Sequence, residues 1–175
     1  MTGRMVRAVL ILPGTALVVV PALLLWAAAG TAAASAPPGP GEARFWAGLG
    51  SLGLGVFLGA WSAALFVRLG RGTPAPWDPP PKLVVAGPYR HVRNPMISGV
   101  LFALLGEALL AGSWPLAGWW LFFFAANGLY FPLVEEKGLE RRFGDDYRAY
   151  KANVPRWLPR PTPWRGPGGG EPGPG

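Results

Sequence analysis

The longest nearly uncharged stretch of this chain decides its fold class. Residues 94–134 read NPMISGVLFALLGEALLAGSWPLAGWWLFFFAANGLYFPLV, in which Glu107 is the only charged residue. A helix that crosses the hydrocarbon core of a bilayer needs about 20 mostly apolar residues. The Gly-Ser-Trp-Pro sequence at 112–115 favours a turn. It divides the stretch into two segments, 96–112 and 114–134. The stretch therefore predicts a hairpin of two membrane-spanning helices.

Two further apolar runs precede the hairpin. Residues 8–29 and 45–67 contain no Asp, Glu, Lys or Arg, and each is long enough to span a bilayer. Charged residues make up 14% of the chain, whereas roughly 25% is usual for a soluble domain. We therefore expect an all-α integral membrane protein with about four transmembrane helices, which forms a single domain over residues 1–160.

The basic residues are distributed unevenly between the two sides of such a bundle. With four crossings, fifteen Lys and Arg residues fall at the N-terminus, in the loop between the second and third spans and in the C-terminal tail, whereas Arg44 alone falls on the opposite side. Lys and Arg concentrate in cytoplasmic loops. We expect both termini to be cytoplasmic, and the Ala-, Gly-, Pro- and Arg-rich composition is compatible with a bacterial plasma membrane.

The two ends of the chain and its overall charge allow further predictions. A basic start, an apolar run and Ala-Ser-Ala at 34–36 also resemble a cleavable signal peptide, but Pro37 disfavours cleavage there, so we expect an uncleaved helix. The Gly- and Pro-rich residues 161–175 predict a disordered tail. The net charge of +7 is attributed to a bilayer rather than to nucleic acid, because of the apolar runs. The oligomeric state is left open.

Several kinds of chemistry are excluded by composition. The chain has no cysteine, so disulfides, thiolate metal sites and cysteine nucleophiles are excluded. His91 is the only histidine and cannot form a zinc site by itself. We expect no metal, and no residue stands out as a general base, so the catalytic residues are not assigned.

A polar segment before the third span is a candidate binding region. Gly87-Pro88 favours a turn, and Asn94-Pro95 has the form of a helix N-cap followed by proline at the first helical position. Free N–H groups at a helix N-terminus suit a carboxylate or phosphate ligand. The alternative is an ordinary cap beside basic residues that anchor the chain in the membrane.

A second polar segment follows the fourth span. An apolar stripe repeats there at helical spacing and is typical of a helix that lies on the membrane surface or against the helical bundle; it consists of Leu139, Phe143, Tyr147, Tyr150 and Val154. Gly144-Asp145 predicts a kink or a new N-cap within this helix.

Paired acids at the start of this second segment point to a partner. Glu135 and Glu136 lie where the fourth span ends, and acids at a membrane interface are costly without a partner. That partner is either a salt bridge to Arg90 or Arg93, or a ligand with a hydroxyl, amine or sulfonium group.

Three sequence motifs, taken in order, resemble one family. They are Arg93-Asn94-Pro95-Met96-Ile97-Ser98-Gly99, then Glu135-Glu136, then Phe143-Gly144-x-x-Tyr147-x-x-Tyr150-x-x-x-Val154-Pro155-Arg156-Trp157-Leu158-Pro159. Together they resemble the isoprenylcysteine carboxyl methyltransferase and phospholipid methyltransferase superfamily over residues 80–160. The resemblance implies a membrane enzyme that transfers a methyl group from S-adenosyl-L-methionine to a lipophilic or lipid acceptor.

The resemblance also implies a set of cofactor-binding residues, in which Glu135 meets a polar or cationic part of the cofactor and Arg93 either meets its carboxylate or holds Glu136. The full set is Lys82, Leu83, Val84, Tyr89, Arg93, Asn94, Pro95, Met96, Ile97, Glu135 and Glu136.

Three positions depart from the family pattern. Asn94 stands in place of a histidine, Ile97 in place of a tyrosine, and Phe131 in place of an arginine thought to meet a substrate carboxylate. An apolar residue cannot pair with a carboxylate, so Phe131 puts a carboxyl-methylating role in doubt.

Two rival functions, and the role of one isolated acidic residue, are left open. Membrane sterol and steroid reductases, which use a nicotinamide cofactor, share a related C-terminal half, and a non-catalytic small membrane subunit is also possible. Glu107 lies near the middle of the third span, where an acid is either functional or a structural group bonded to Asn127.

Overall fold

The regular structure of the chain is helical. A computed structural model describes residues 13–31, 33, 35–65, 68–69 and 83–166, and this part contains no β-strand, which confirms the all-α class. Its α-helices are α1 (Val20–Ala28), α2 (Ala43–Leu65), α3 (Pro95–Ala111), α4 (Trp114–Tyr130) and α5 (Glu136–Asn153). Shorter turns precede or join them: the π-helical turns Thr15–Val19 and Phe131–Glu135 and the 3-10 turn Gly87–Arg90.

The apolar helices match the predicted spans. By length and composition, α2 and the continuous run Trp114–Asn153 can each cross a membrane, while Thr15–Ala28 and α3 are shorter apolar helices. The bounds of α2, α3 and α4, with its π turn, agree with the predicted second, third and fourth spans to within two residues. The predicted first span, 8–29, is helical from 13 to 28, and its residues 8–12 lie outside the described part.

Large apolar side chains lie on the outside of these helices. Val56, Phe57 and Phe122 are each more than half exposed. A soluble monomer rarely exposes so many large apolar groups, whereas a helix in contact with lipid does.

The chain forms two compact units, Met1–Ala60 with Met96–Gly128 and Trp61–Pro95 with Leu129–Gly175. In the first unit, α2 and α3 pack with their backbones in contact. A Cβ on Gly55 would lie 2.5 Å from the Ala103 nitrogen, and one on Gly106 would lie 2.6 Å from the Leu52 nitrogen. Glycine at these positions therefore sets how closely the two helices approach.

A small apolar core joins further helices of the first unit. Ala16, Val100 and Leu104 are buried together, with Trp119, Trp120 and Phe123 packed against them. The indole N–H of Trp119 donates to the Ala16 carbonyl oxygen at 3.0 Å, which satisfies a polar group inside an apolar region.

One of the two alternatives for Glu107, a hydrogen bond to Asn127, is not formed. Asn127 Nδ2 donates to the Phe123 carbonyl oxygen at 2.8 Å, and Glu107 Oε2 is buried with no hydrogen-bond partner in the described part of the chain. This alternative was wrong because Glu107 and Asn127 lie at different depths along the helical hairpin. Helices joined by the short turn at Gly112 run in opposite directions, so Glu107 and Asn127 differ by ten residues in distance from that turn, about 15 Å along the axis.

Candidate functional site

The polar segment before α3 is held in a fixed turn. Gly87 has a φ of 52°, a conformation that favours glycine, and a Cβ there would lie 2.9 Å from the Leu65 side chain. Pro88 and Tyr89 are buried in the 3-10 turn that follows, and α3 begins at Pro95 as predicted. The Gly-Pro pair thus turns the chain against the end of α2.

The C-terminal segment folds back onto this turn. The backbone N–H groups of Arg160 and Trp164 donate to the carbonyl oxygens of His91 at 3.0 Å and Arg90 at 2.9 Å. The side chains of His91 and Arg90 donate in return to the carbonyl oxygens of Arg160 and Trp164, each at 2.8 Å. These contacts extend to Trp164, four residues beyond the predicted domain end at residue 160.

The apolar stripe of α5 faces the protein. Tyr147, Tyr150 and Val154 are buried and pack with Leu83, Val85, Leu139, Phe143 and Trp164. The Tyr150 hydroxyl donates to the Tyr89 carbonyl oxygen at 2.7 Å. The stripe was predicted to lie on the membrane surface or against the helical bundle; in the structure it packs against the segment before α3 and against Trp164. α5 kinks at Gly144, where φ is 53° and ψ is −126°, as the Gly-Asp pair predicted.

Glu136 is surrounded by cations. Its side chain is 5% exposed, and Oε1 lies 2.9 Å from Arg93 Nη1 and 2.7 Å from Arg156 Nη2, while Oε2 lies 3.1 Å from Lys151 Nζ. Burial alone would raise the pKa of Glu136, but hydrogen bonds from Lys151 and Arg156 and the charges of Arg93 and Arg156 hold it below its ordinary value. Of the two predicted partners, Arg93 pairs with Glu136, whereas Arg90 bonds the Trp164 carbonyl oxygen.

Glu135 has different surroundings. It ends the π-helical turn Phe131–Glu135, and no residue in the described part of the chain forms a hydrogen bond or ion pair with its carboxylate. Burial, together with the negative charge of Glu136, raises the pKa of Glu135 to about 7. Adjacent acids whose environments separate their pKa values often have separate roles. Glu136 is neutralised by the protein, whereas the Glu135 carboxylate has no such partner among the described residues.

The Tyr89 hydroxyl is influenced by both Glu135 and Ser62. Burial raises the pKa of the Tyr89 phenol, the nearby Ser62 hydroxyl lowers it, and the Glu135 charge raises it again. Ser62 is fully buried near the end of α2. Sequence analysis missed Ser62 because one serine in an apolar run carries no signal of its own; its position near the polar end of the span was the only indication.

Most of the predicted cofactor residues belong to the second unit. These are Leu83, Val84, Tyr89, Arg93, Asn94, Pro95, Glu135 and Glu136. Met96 and Ile97 lie in the first turn of α3 and are grouped with the first unit. Lys82 lies outside the described residues.

Phe131 occupies an apolar environment. It is 4% exposed, and its ring packs edge-on against Trp157, with 6.0 Å between the ring centroids. The ring of the neighbouring Tyr130 also packs edge-on against Phe131, with 6.0 Å between the centroids. The ring contacts of Phe131 among the described residues are therefore aromatic.

Two polar groups without a protein partner among the described residues have charges complementary to those of an amino-acid ligand. In the described part of the chain, the Glu135 carboxylate is unpaired and the buried Arg93 Nε has no hydrogen-bond partner. A carboxylate and a guanidinium complement the ammonium and carboxylate of an amino acid. The methionine end of S-adenosylmethionine carries both of these groups, so the residues present fit this cofactor.

Comparison with known proteins gives one match. The family model described as phospholipid methyltransferase matches residues 43–146, which include α2, the turn before α3, the hairpin and the Glu135-Glu136 pair. A search of curated proteins and a search of solved structures found no match.

Proposed function

The chain belongs to the phospholipid methyltransferase family, and from this premise we propose that it uses S-adenosylmethionine to methylate a lipid-soluble acceptor. A membrane methyltransferase of the phospholipid or isoprenylcysteine kind is what family membership supports. The observation that carries the cofactor assignment is the difference between the two adjacent acids. Glu136 is neutralised by three cations, while no cation among the described residues pairs with Glu135.

We assign the residues of the second unit distinct tasks. When bound, S-adenosylmethionine supplies a methyl group on a positively charged sulfur. Glu135 holds the ammonium of the ligand, and Arg93 provides its unpartnered Nε–H to the carboxylate. Glu136 acts through Arg93, because the 2.9 Å contact fixes the guanidinium. Methyl transfer is an in-line displacement, so the main task of the chain is to align the acceptor with the methyl group.

The acceptor is a lipid-soluble molecule without a free carboxylate at the reacting end. Phe131 is buried against Trp157, and an unpaired carboxylate in such a place would be costly. The two basic residues that could replace the missing arginine are engaged: Arg90 Nε donates to a carbonyl oxygen, and Arg156 pairs with Glu136. A neutral or amine-bearing lipid or isoprenoid fits this setting better.

The cofactor assignment is tested by calorimetric binding of S-adenosylhomocysteine to the purified protein. Glu135→Gln keeps the shape and removes the charge, so affinity should fall about ten- to hundredfold, the value of one charge-assisted hydrogen bond. Glu140→Gln, which removes an exposed partner of Lys151, is the matched control and should bind like the unaltered protein. Equal affinity of a folded Glu135→Gln variant would remove Glu135 from the site.

The same measurement separates the rival functions. Binding of NADPH without S-adenosylhomocysteine would favour a reductase, and binding of neither would favour a non-catalytic subunit. To compare acceptors, membranes that contain a prenylcysteine or an amine-bearing lipid are supplied with labelled S-adenosylmethionine. Efficient labelling of the prenylcysteine alone would show the Phe131 argument to be wrong.

A further inference from the structure

The most exposed large apolar side chain of the described residues lies in an ordered loop. Leu158 is 80% exposed. Both ends of its loop are fixed, because the Arg93 N–H donates to the Pro155 carbonyl oxygen at 2.9 Å and the Arg160 N–H donates to the His91 carbonyl oxygen at 3.0 Å. Exposure of Leu158 therefore does not arise from a slack chain end.

Prolines restrict the same loop further. Pro155 and Pro159 flank the sequence Arg-Trp-Leu at 156–158, and a proline ring fixes its own φ. We refer to residues 156–160 as the C-terminal loop. The backbone here is held so that it presents Leu158 outward.

The position of the C-terminal loop follows from its contact with the end of α4. The Trp157 ring lies 6.0 Å from that of Phe131, at an interplanar angle of 78°. Phe131 begins the π-helical turn in which the apolar run ends. In the same turn Leu133 is 58% exposed, and Val134 is 53% exposed. The loop thus lies at the level where an apolar, lipid-contacting helix gives way to polar sequence.

The composition of the loop suits a bilayer interface. Tryptophan is enriched at the boundary between headgroups and acyl chains, and arginine can keep its charge among headgroups while its stem lies on apolar surface. Arg160 follows Leu158 and Pro159 in the loop and can place its charge among headgroups, whereas the Arg156 guanidinium is paired with Glu136.

We propose that the C-terminal loop is an interfacial membrane anchor, with Trp157 at the headgroup boundary and Leu158 inserted into the edge of the acyl-chain region. The occupant of this surface is the lipid leaflet from which α4 emerges, because the loop packs on Phe131 at the end of the apolar run, in the same turn as the exposed Leu133 and Val134. The proposal rests on the chain spanning a membrane and does not depend on the cofactor or the reaction. Its consequence is that the bilayer holds the C-terminal segment in place beside Arg90 and His91.

Single-cysteine labelling tests this proposal directly, since the chain has no cysteine of its own. Leu158→Cys is labelled with an environment-sensitive fluorophore and reconstituted into bilayers that contain lipids spin-labelled on the upper acyl chain. Leu133→Cys, on the exposed face of the same apolar turn, is the positive control. Asp146→Cys, at an exposed polar position of α5, is the negative control.

The spin-labelled lipids should quench the fluorophore at residues 158 and 133 and leave that at 146 unquenched, and aqueous iodide should show the reverse order. Leu158 and Asp146 are exposed, so neither substitution removes a buried contact. If the fluorophore at 158 is no more sensitive to the spin-labelled lipids than that at 146, the proposal is overturned. Methyl-transfer activity is not a readout, so failure here leaves the proposed function untouched.

Discussion

Glu135 and Glu136 are adjacent in the sequence, but the described residues place three cations around Glu136 only. The guanidinium groups of Arg93 and Arg156 and the ammonium of Lys151 all reach Glu136. A buried ion pair contributes little on balance, but removal of one partner leaves uncompensated charge. The stability of the second unit should therefore depend on Glu136, and its ligand affinity on Glu135.

We expect Glu136→Gln to destabilise the protein by about 3 kcal/mol, the lower end for a broken buried pair because Lys151 is partly exposed. Glu140→Gln, which breaks one exposed contact to Lys151, should change the free energy of unfolding by roughly 0–1 kcal/mol. Thermal unfolding in detergent, followed by tryptophan fluorescence, measures both. Equal unfolding midpoints for the two variants would contradict this prediction.

The contribution of Glu136 should also depend on pH. Its pKa is lowered in the folded protein, so its stabilisation is present above the ordinary carboxyl pKa and is lost as the pH falls through the depressed value. The unfolding midpoints of the unaltered protein and of Glu136→Gln should therefore converge in acid.

Cofactor affinity should change near neutral pH because of Glu135. With a pKa of about 7, its carboxyl group is mostly protonated at pH 6 and mostly ionised at pH 8. An ammonium binds the ionised form, so S-adenosylhomocysteine should bind about tenfold more tightly at pH 8 than at pH 6. Glu135→Gln should abolish most of this dependence in the same titration. A steep dependence that persists in Glu135→Gln would assign it to another group.

At the scale of the helices, backbone contact between α2 and α3 makes one set of glycines sensitive to substitution. Gly55→Ala would place a methyl group 2.5 Å from the Ala103 nitrogen, and overpacking of this kind costs about 1–3 kcal/mol. Gly50 and Gly53, on the same helix, have nothing within 4 Å of such a methyl group. The midpoint temperature of thermal unfolding should therefore be lowered by Gly55→Ala and left nearly unchanged by Gly53→Ala. Similar losses in both variants would show that α2 and α3 do not pack as described.

The helices were more predictable than the contacts between them. Long apolar runs determine where α2, α3 and α4 lie, because the thickness of the bilayer's hydrocarbon core fixes the length of a membrane-spanning helix. The three cations around Glu136 come from positions 43 residues before it and 15 and 20 residues after it, and no local pattern relates such distances. The Asn127 alternative was wrong for a related reason: the residue types suggested a hydrogen bond, but the depth along the hairpin decided against it.

At the scale of the whole molecule, the charge asymmetry predicts the orientation in the membrane. We propose that both termini are cytoplasmic, since fifteen of the sixteen Lys and Arg residues then lie on one side. Reporter fusions after Gly41 should be external, and fusions after Lys82 and Gly168 should be cytoplasmic. A cytoplasmic reporter after Gly41 would show that the orientation is reversed or that the chain crosses the membrane fewer than four times.

The return of the C-terminal segment onto Arg90 and His91 also determines the order in which the protein can be completed during synthesis. The partners of these two residues follow them by 74 and 69 positions. At about 5–20 residues per second of translation, the turn before α3 is made roughly 4–15 s before the residues that bond to it. α3 and α4 are thus made while that turn is still unpaired, and the second unit closes only when Trp164 has left the ribosome.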